Sequence, residues 1–79
     1  MLVKVYITLK PSVLDPQGKT VQKSLENLGF KDVKDVRVGK YIEVQLSDTL
    51  KKEEAQKQIQ KMCERLLANT VIENYSFHI

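Results

Sequence analysis

The chain has 79 residues, one cysteine and a formal net charge of +3, so it accommodates a single small domain, residues 1–79, with no internal disulfide. A chain of this length buries only about 60% of the surface that its unfolded form exposes, which makes oligomerisation the expected source of additional stability. The basic residues are scattered among ten acidic ones, a distribution that does not indicate nucleic-acid binding.

The first predicted element is a half-buried β-strand. Val3, Val5, Ile7 and Leu9 alternate with polar side chains, which is the period of a strand with one face in the core. This stretch has no features of a secretory signal, and no apolar run approaches the roughly 20 residues that span a bilayer. With a single cysteine in addition, we expect a cytoplasmic location without membrane association.

A helix is predicted after the loop Lys10-Pro11-Ser12. Asp15 is a typical N-cap residue, and Pro16 follows it at the first helical position. Apolar residues then recur at helical spacing as far as Gly29, which suits the C′ position. These apolar residues are Val21, Leu25 and Leu28.

The central segment from Val33 to Leu46 keeps its apolar residues at even positions on both sides of Gly39. A two-residue hairpin turn at Gly39-Lys40 would pair Val38 with Tyr41 and mix the core face with the polar face, so this turn is disfavoured. Two interpretations remain, a hairpin with a three-residue loop at 39–41 or one long strand that bends at Gly39. The long strand would extend beyond one small core and offer its far half to another chain.

A second helix and a last strand complete the predicted fold. N-cap candidates for the helix lie at Ser47-Asp48-Thr49, and the last strand directs Tyr75, Phe77 and Ile79 to one face. The order β-α-β(-β)-α-β predicts an α+β two-layer sandwich of ferredoxin-like type, with an antiparallel sheet and a long central strand. The buried stripe of the second helix is predicted at Ala55, Ile59, Met62, Cys63 and Leu66.

The sequence contains no evident catalytic constellation. His78, the only histidine, is predicted to be an ordinary strand residue, and Cys63 is predicted to be a packed core thiol. These two side chains are too few for a structural zinc site. The glycines are too dispersed for a phosphate-binding loop, and the stretch from Asp15 to Lys19 fits a capped helix start better than an anion site.

The sheet face opposite the helices is expected to carry Tyr6, Arg37, Tyr41 and Glu43. Aromatic side chains beside an arginine suggest RNA stacking, but the aromatic density is low and Glu43 would repel phosphate. Protein contact fits these residue types better. A free-standing nucleic-acid or ligand-binding module remains the alternative. A small enzyme of acylphosphatase type is disfavoured because the first loop lacks an arginine and a glycine-rich anion cradle.

Short motifs in a fixed order resemble the PurS family along the whole chain. Thr70 departs from the pattern, since similar sequences often have proline there. The motifs are Leu9-Lys10-Pro11, Val13-Leu14-Asp15-Pro16 with Gly18, Leu28-Gly29-Phe30, Val36-Arg37-Val38-Gly39-Lys40-Tyr41-Ile42, Met62-Cys63-Glu64, Leu66-Leu67-Ala68-Asn69, and Val71-Ile72-Glu73 with Tyr75.

The resemblance implies a non-catalytic small subunit of phosphoribosylformylglycinamidine synthase, which uses ATP and glutamine to convert FGAR to FGAM in purine biosynthesis. It implies a homodimer, with a tetramer as the larger alternative, that bridges a synthetase subunit, PurL, and a glutaminase subunit, PurQ. The small subunit would assist ammonia transfer between them. The chain is expected to bind no cofactor itself, whereas the complex uses ATP and Mg. Nucleic acid and membranes are not expected partners.

Seven residues are candidate contacts with partner subunits, three where the first strand gives way to the first helix and four at the bend of the long strand. For the charged ones the alternative is a solvated side chain, and for the proline it is a role in loop geometry. The glycine is expected to meet a backbone requirement, either a positive φ or a close approach. The seven are Lys10, Pro11, Asp15, Arg37, Gly39, Lys40 and Tyr41.

Overall fold

The computed structural model describes all 79 residues and contains three strands and two α-helices. The strands form one antiparallel sheet in the order β2-β1-β3, and a five-residue π turn, Cys63–Leu67, directly follows the second helix. The predicted α+β class and antiparallel sheet are confirmed. None of the helices has the length and apolar character needed to cross a bilayer. The elements are β1 (Leu2–Leu9), α1 (Pro16–Asn27), β2 (Gly39–Gln45), α2 (Lys52–Met62) and β3 (Glu73–His78).

Helix α2 packs on one face of the sheet and closes the core. The central strand β1 buries Val3, Val5 and Ile7 in one cluster with Ile59 and Cys63 of the α2 region. The alternation predicted for β1 is therefore confirmed, since its odd-numbered residues face the core and its even-numbered residues face solvent. The aromatic residues at positions 75 and 77 of β3 pack against the same core, as predicted.

The π turn changes which leucine enters the core. A continued α-helix would extend the stripe of Ile59 and Cys63 to Leu66, the residue predicted to be buried. In the π turn, the Ala68 amide donates to the Cys63 carbonyl oxygen, 2.9 Å away and five residues earlier. The wider turn rotates Leu67 towards the core and leaves Leu66 83% exposed. The prediction for Leu66 is wrong.

Helix α2 also begins later than predicted. It starts at Lys52, and its N-cap residue makes no side-chain capping hydrogen bond. Ser47 and Thr49 instead form a turn after β2, with their hydroxyl oxygens 2.8 Å apart, so the predicted N-cap is wrong. Glu53 and Glu54 place negative charge in the first helical turn, where it stabilises the helix dipole.

The central segment does not fold back on itself. Strand β2 begins at Gly39, and its ladder runs with β1 from Gly39 opposite Thr8 to Gln45 opposite Leu2. The hairpin interpretation is therefore wrong, and the optional fourth strand is absent from the chain. Residues 33–38 form no strand with the rest of the chain, so the long bent strand is not formed within one protomer.

The predicted limits of α1 are confirmed. Asp15 caps the first turn by accepting a hydrogen bond from the Gly18 amide. Gly29 ends the helix at a φ of 102°, in the left-handed region that glycine adopts without strain. The Phe30 amide then donates to the Leu25 carbonyl oxygen at 3.0 Å, which closes the helix end.

Helix α1 stands away from the sheet. None of its residues belongs to the core cluster or packs against it, and Gly18 is its only buried residue. The radius of gyration is 16.0 Å, whereas about 12 Å is expected for a compact chain of this length. The molecule measures 50 × 24 × 14 Å. This elongated shape is that of a small core from which another part projects. We call α1 together with residues 28–38, which run back beside it, the arm.

Replacement of Ile59 by alanine is expected to lower the free energy of unfolding by about 2–5 kcal/mol, because it removes a fully buried side chain. Leu66→Ala is the matched control, and its exposed position predicts a change within about 0.5 kcal/mol. Urea denaturation followed by far-UV circular dichroism, at one protein concentration, measures both. An equal decrease in the free energy of unfolding for the two variants would place Leu66 in the core and contradict the π turn.

Candidate functional site

The arm meets the sheet at a small polar region that contains six of the seven candidate residues, drawn from two separate stretches of the chain. The seventh, Tyr41, lies apart on the outer face of the sheet. Glu73, at the start of β3, belongs to the same polar region although the sequence did not single it out. We call this region the junction, and it consists of Lys10, Pro11, Asp15, Arg37, Gly39, Lys40 and Glu73.

The Asp15 carboxylate links the start of α1 to the residue before β2. Asp15 is 3% exposed, and its two oxygens accept hydrogen bonds from the amides of Gly18 and Val38, each at 2.8 Å. These two hydrogen bonds, together with the charge of Arg37, lower the pKa of Asp15. The carboxylate is thus held in its ionised form and ties the first helical turn to the end of the arm.

The Arg37 guanidinium folds back onto the loop between β1 and α1. Its Nη2 lies 2.8 Å from the Lys10 carbonyl oxygen, 3.1 Å from that of Val13 and 3.4 Å from that of Leu9. Arg37 therefore does not share the outer sheet face with the tyrosines, and that prediction is wrong. The physical reason is that the alternation of faces begins with β2 at Gly39 and does not extend back to residue 37.

Two glycines allow the junction to close. A Cβ atom on Gly39 would collide with the carbonyl oxygen of Ile7 in the neighbouring strand, and one on Gly18 would collide with that of Val36. Gly29 is the only residue with a positive φ, so close approach is what Gly39 provides. No close approach at Gly18 was predicted from the sequence. Its position in the first turn of a helix, where glycine is unfavourable, is the signal that was available.

Lys40 and Glu73 meet on the inner side of the junction. The Lys40 Nζ lies 3.7 Å from Glu73 Oε2, and the Glu73 side chain is only 12% exposed. Its other carboxylate oxygen accepts a hydrogen bond from the Asn69 amide at 2.7 Å. Asp15 and Gln17 line the same open cleft of about 240 Å³. This salt bridge therefore joins the start of β2 to the start of β3.

Pro11 lines a second cleft, beside Arg37 and Asp35. The loop that carries Pro11 is held by the backbone of Lys10, whose amide donates to the Ile72 carbonyl oxygen at 2.8 Å. The Lys10 carbonyl oxygen in turn accepts from Arg37. Lys10 thus contributes to the junction through its main chain.

Tyr41 belongs to an aromatic cluster on the outer face. Its ring centroid lies 5.2 Å from that of Tyr6, and the Tyr6 ring meets the His78 ring edge-on at 6.0 Å. The Tyr41 hydroxyl donates to the Glu43 carboxylate at 2.8 Å, and this hydrogen bond raises the pKa of Tyr41 to about 12. The predicted placement of both tyrosines and Glu43 on one face is confirmed. The face offers the aromatic contact area that is enriched in protein interfaces.

The only thiol lies in the core, away from the junction. The Cys63 side chain is fully buried, and burial raises the pKa of its thiol. A thiol is a weak nucleophile while it remains protonated. The prediction that Cys63 is a packed core residue is confirmed.

Comparison with known proteins gives consistent matches. A family model described as PurS, phosphoribosylformylglycinamidine (FGAM) synthase, matches residues 2–79. The chain is 53% identical over 76 residues to the phosphoribosylformylglycinamidine synthase subunit PurS of Synechocystis sp.. The aligned region covers 96% of this chain and 75% of that protein. It is 48% identical over 79 residues to the corresponding subunit of Bacillus subtilis. This alignment covers 98% of this chain and 89% of that protein.

Solved structures extend the similarity to the whole shape. Bacillus subtilis PurS matches with a TM-score of 0.82 and 47% identity, over 98% of this chain and 94% of that one. Methanocaldococcus jannaschii PurS gives a TM-score of 0.84 at 38% identity, over 98% and 92%. A chain in the structure of PurLQS from Thermotoga maritima gives 0.83 at 34% identity, over 99% and 96%. Coverage this high includes the arm as well as the sheet.

The stability of the chain is expected to fall below about pH 4, in part because Asp15 then takes up a proton. The pKa of Asp15 in the folded chain lies below the ordinary value of 3.8. The ionised carboxylate therefore stabilises the fold above that pH, and the contribution is lost as the pH falls through the folded-state pKa. Asp15→Asn should lower the melting temperature at neutral pH and flatten its decline between about pH 5 and pH 2.

Thermal unfolding followed by circular dichroism measures this decline. Asp35→Asn serves as the control, since Asp35 is an exposed carboxylate 3.7 Å from Lys19 and should leave the wild-type pH dependence unchanged. The same pH dependence in both variants would show that the Asp15 charge does not stabilise the junction.

Proposed function

Since the chain belongs to the PurS family, whose members are subunits of phosphoribosylformylglycinamidine synthase, we propose that it is the small subunit that assembles this enzyme in purine biosynthesis. The observation that carries the proposal is the family match over residues 2–79, together with the similarity to a chain of the Thermotoga maritima PurLQS structure. Membership of this family replaces the two alternatives considered from the sequence, a nucleic-acid-binding module and an acylphosphatase-like enzyme. The proposal treats residues 1–79 as one domain that acts in the cytoplasm.

The proposed role is to connect a synthetase subunit, PurL, with a glutaminase subunit, PurQ, and to assist ammonia transfer between them. Ammonia is mostly present as ammonium at neutral pH, and ammonium is not a nucleophile. A connection between the two active sites that excludes water would therefore preserve the reactive form. ATP and Mg would be bound by the complex, and this chain would contribute surface and rigidity. A buried, protonated thiol and a histidine that packs against Tyr6 support this non-catalytic role.

The arm supports a homodimer as the working form. Its apolar side chains remain in solvent, with Val21 42%, Phe30 58% and Leu28 73% exposed. An open groove of about 490 Å³ lies between the start of α1 and Val38. Within one chain, no element covers this surface, and residues 33–38 lack a strand partner. Two arms related by a twofold axis would cover each other. Residues 33–38 of each chain could then pair with the other chain and extend β2 on its N-terminal side into the long strand.

Reconstitution tests the proposed function. The chain is mixed with the PurL and PurQ subunits in the presence of glutamine and Mg-ADP, and the mixture is separated by size-exclusion chromatography. Glutamine-dependent FGAM formation is then measured with and without the chain. We expect co-elution of all three proteins and coupled turnover only when the chain is present. Equal coupling of PurL and PurQ in its absence would refute the proposal.

Leu28→Lys is expected to convert the homodimer to a monomer at micromolar concentration, because it places a charge in the proposed dimer surface. The substitution is compatible with α1 itself, since a cation near a helix C-terminus interacts favourably with the dipole. Val71→Lys is the matched control, because Val71 is 80% exposed and lies outside the arm. Analytical ultracentrifugation measures the mass. A monomeric wild-type chain, or a dimeric Leu28→Lys variant, would contradict the arm-mediated dimer.

Cys63→Ala is expected to leave the glutamine-dependent turnover of the reconstituted complex largely unchanged while lowering the stability of the chain. The thiol is buried, and the glutaminase subunit has its own nucleophile. Steady-state turnover and a urea titration, carried out on the same preparation, separate the two effects. A complete loss of turnover in a complex that assembles normally would mean that this chain takes part in the chemistry.

A further inference from the structure

We propose that Asp15 and Arg37 form a latch that sets the direction of the arm, and that they act as positioning residues for assembly. This reassigns both from the contact role that the sequence suggested. The latch itself is a property of a single chain. Its consequence for assembly rests on the homodimer proposed above.

The connections between arm and sheet explain why a latch is needed. The backbone connects the arm to the sheet at only two places, the loop of residues 10–15 and residues 36–38 at the end of the arm, and α1 contributes no residue to the core. Two short connections without a packed interface leave an arm free to pivot. The direction of the arm must therefore be fixed by contacts between the two connections themselves.

The two side chains supply these contacts reciprocally. Asp15 belongs to the first connection and accepts a hydrogen bond from the Val38 amide of the second. Arg37 belongs to the second connection and donates to the carbonyl oxygens of Lys10 and Val13 in the first. Each connection thus binds the backbone of the other through a charged group, which gives short and directional hydrogen bonds.

The latch lies at the point where the arm enters the sheet. Val38 directly precedes Gly39, whose tight approach to the Ile7 carbonyl fixes the first residue of β2 against β1. Asp15 also caps α1 through the Gly18 amide. One carboxylate therefore binds both the helix and the strand entrance, so a change in the direction of α1 relative to β2 would break at least one of its two hydrogen bonds.

Asp15 has no carboxylate oxygen left for a partner subunit, and Arg37 directs its Nη2 at three carbonyl oxygens of its own chain. Both carboxylate oxygens of Asp15 are engaged within the chain, and Asp15 is 3% exposed. By contrast, Tyr41 is 51% exposed, and the Lys40 side chain is 63% exposed despite its salt bridge. Contact with another subunit is thus available to Lys40 and Tyr41, while Asp15 and Arg37 serve the internal geometry.

A small error in the direction of the arm would be amplified at its tip. The 12 residues of α1 extend about 18 Å at the rise of an α-helix. A rotation of about 20° at the junction would displace the far end by about 6 Å, which exceeds the roughly 4 Å separation of side chains in contact. Fixing this direction before association therefore favours a dimer built from two arms, because every chain then presents the binding-competent geometry.

The direction of the arm can be measured by electron-spin resonance distances between α1 and α2. In a Cys63→Ala background, nitroxide labels are placed at Lys23→Cys and Lys57→Cys, two exposed positions on these helices. Dilution of the labelled chain with unlabelled chain restricts the signal to distances within one protomer. The wild-type latch is expected to give one narrow distance distribution, and Asp15→Asn a broad one, because the amide replaces one acceptor oxygen with a donor that faces an N–H group. Asp35→Asn should stay narrow.

Two further measurements separate arm direction from folding and from association. In chains that retain Cys63, Asp15→Asn should leave this thiol unreactive towards Ellman's reagent, since the core does not include the latch. The dimer dissociation constant should rise by about tenfold or more. Arg37→Met, which removes the other half of the latch, should reproduce both results.

The outcomes distinguish the latch from the dimer on which its consequence rests. A narrow wild-type distribution in a monomeric chain would refute the dimer and leave the latch intact. Narrow distributions in both latch variants would refute the latch. Rapid reaction of Cys63 in both variants would also refute it, because the two residues would then hold the core together and not the arm.

Discussion

Burial of one face of β1 beneath α2 is the interaction on which the rest of the fold depends. Val3, Val5 and Ile7 lie in the same cluster as Ile59 and Cys63, and only nine of the 79 residues are buried in all. Helix α1 contributes no side chain to this core. The direction of the arm therefore depends on polar contacts at its base, and the homodimer proposed above would bury its apolar side chains.

Local signals in the sequence predicted the elements whose form depends on adjacent residues. The alternation in β1 and the limits of α1 between Asp15 and Gly29 were correct, because strand periodicity, an N-cap and a left-handed glycine act over a few residues. Leu66 was misplaced because a single additional residue in the π turn rotates everything after Cys63, and no residue type marks such a turn. Parity alone could not decide between the hairpin and the long strand, because the same alternation of faces fits both.

The sequence predicted where the candidate site lies better than it predicted the role of each residue in that site. Six of the seven candidates gather at the junction, because the two stretches that carry them flank the same end of β1. The sequence could not show that Arg37 folds back onto carbonyl oxygens, since side-chain direction outside a strand has no period to reveal it. Glu73 was missed for a related reason, as its salt bridge with Lys40 depends on the β1–β3 register.

The internal roles of Asp15 and Arg37 change the set of residues on which the proposed connecting function should depend. The motifs that resemble the PurS family around Asp15, Gly18 and Gly39 lie at or beside the junction, where these three residues have internal geometric roles. A subunit that connects two other subunits works by holding surfaces at fixed distances, so errors at its pivot matter more than the loss of any one exposed contact. The exposed Tyr41 face can vary in chemistry while the arm keeps its direction. The junction is more constrained, because Asp15 is committed to two internal hydrogen bonds and a Cβ atom on Gly39 would collide with the Ile7 carbonyl oxygen.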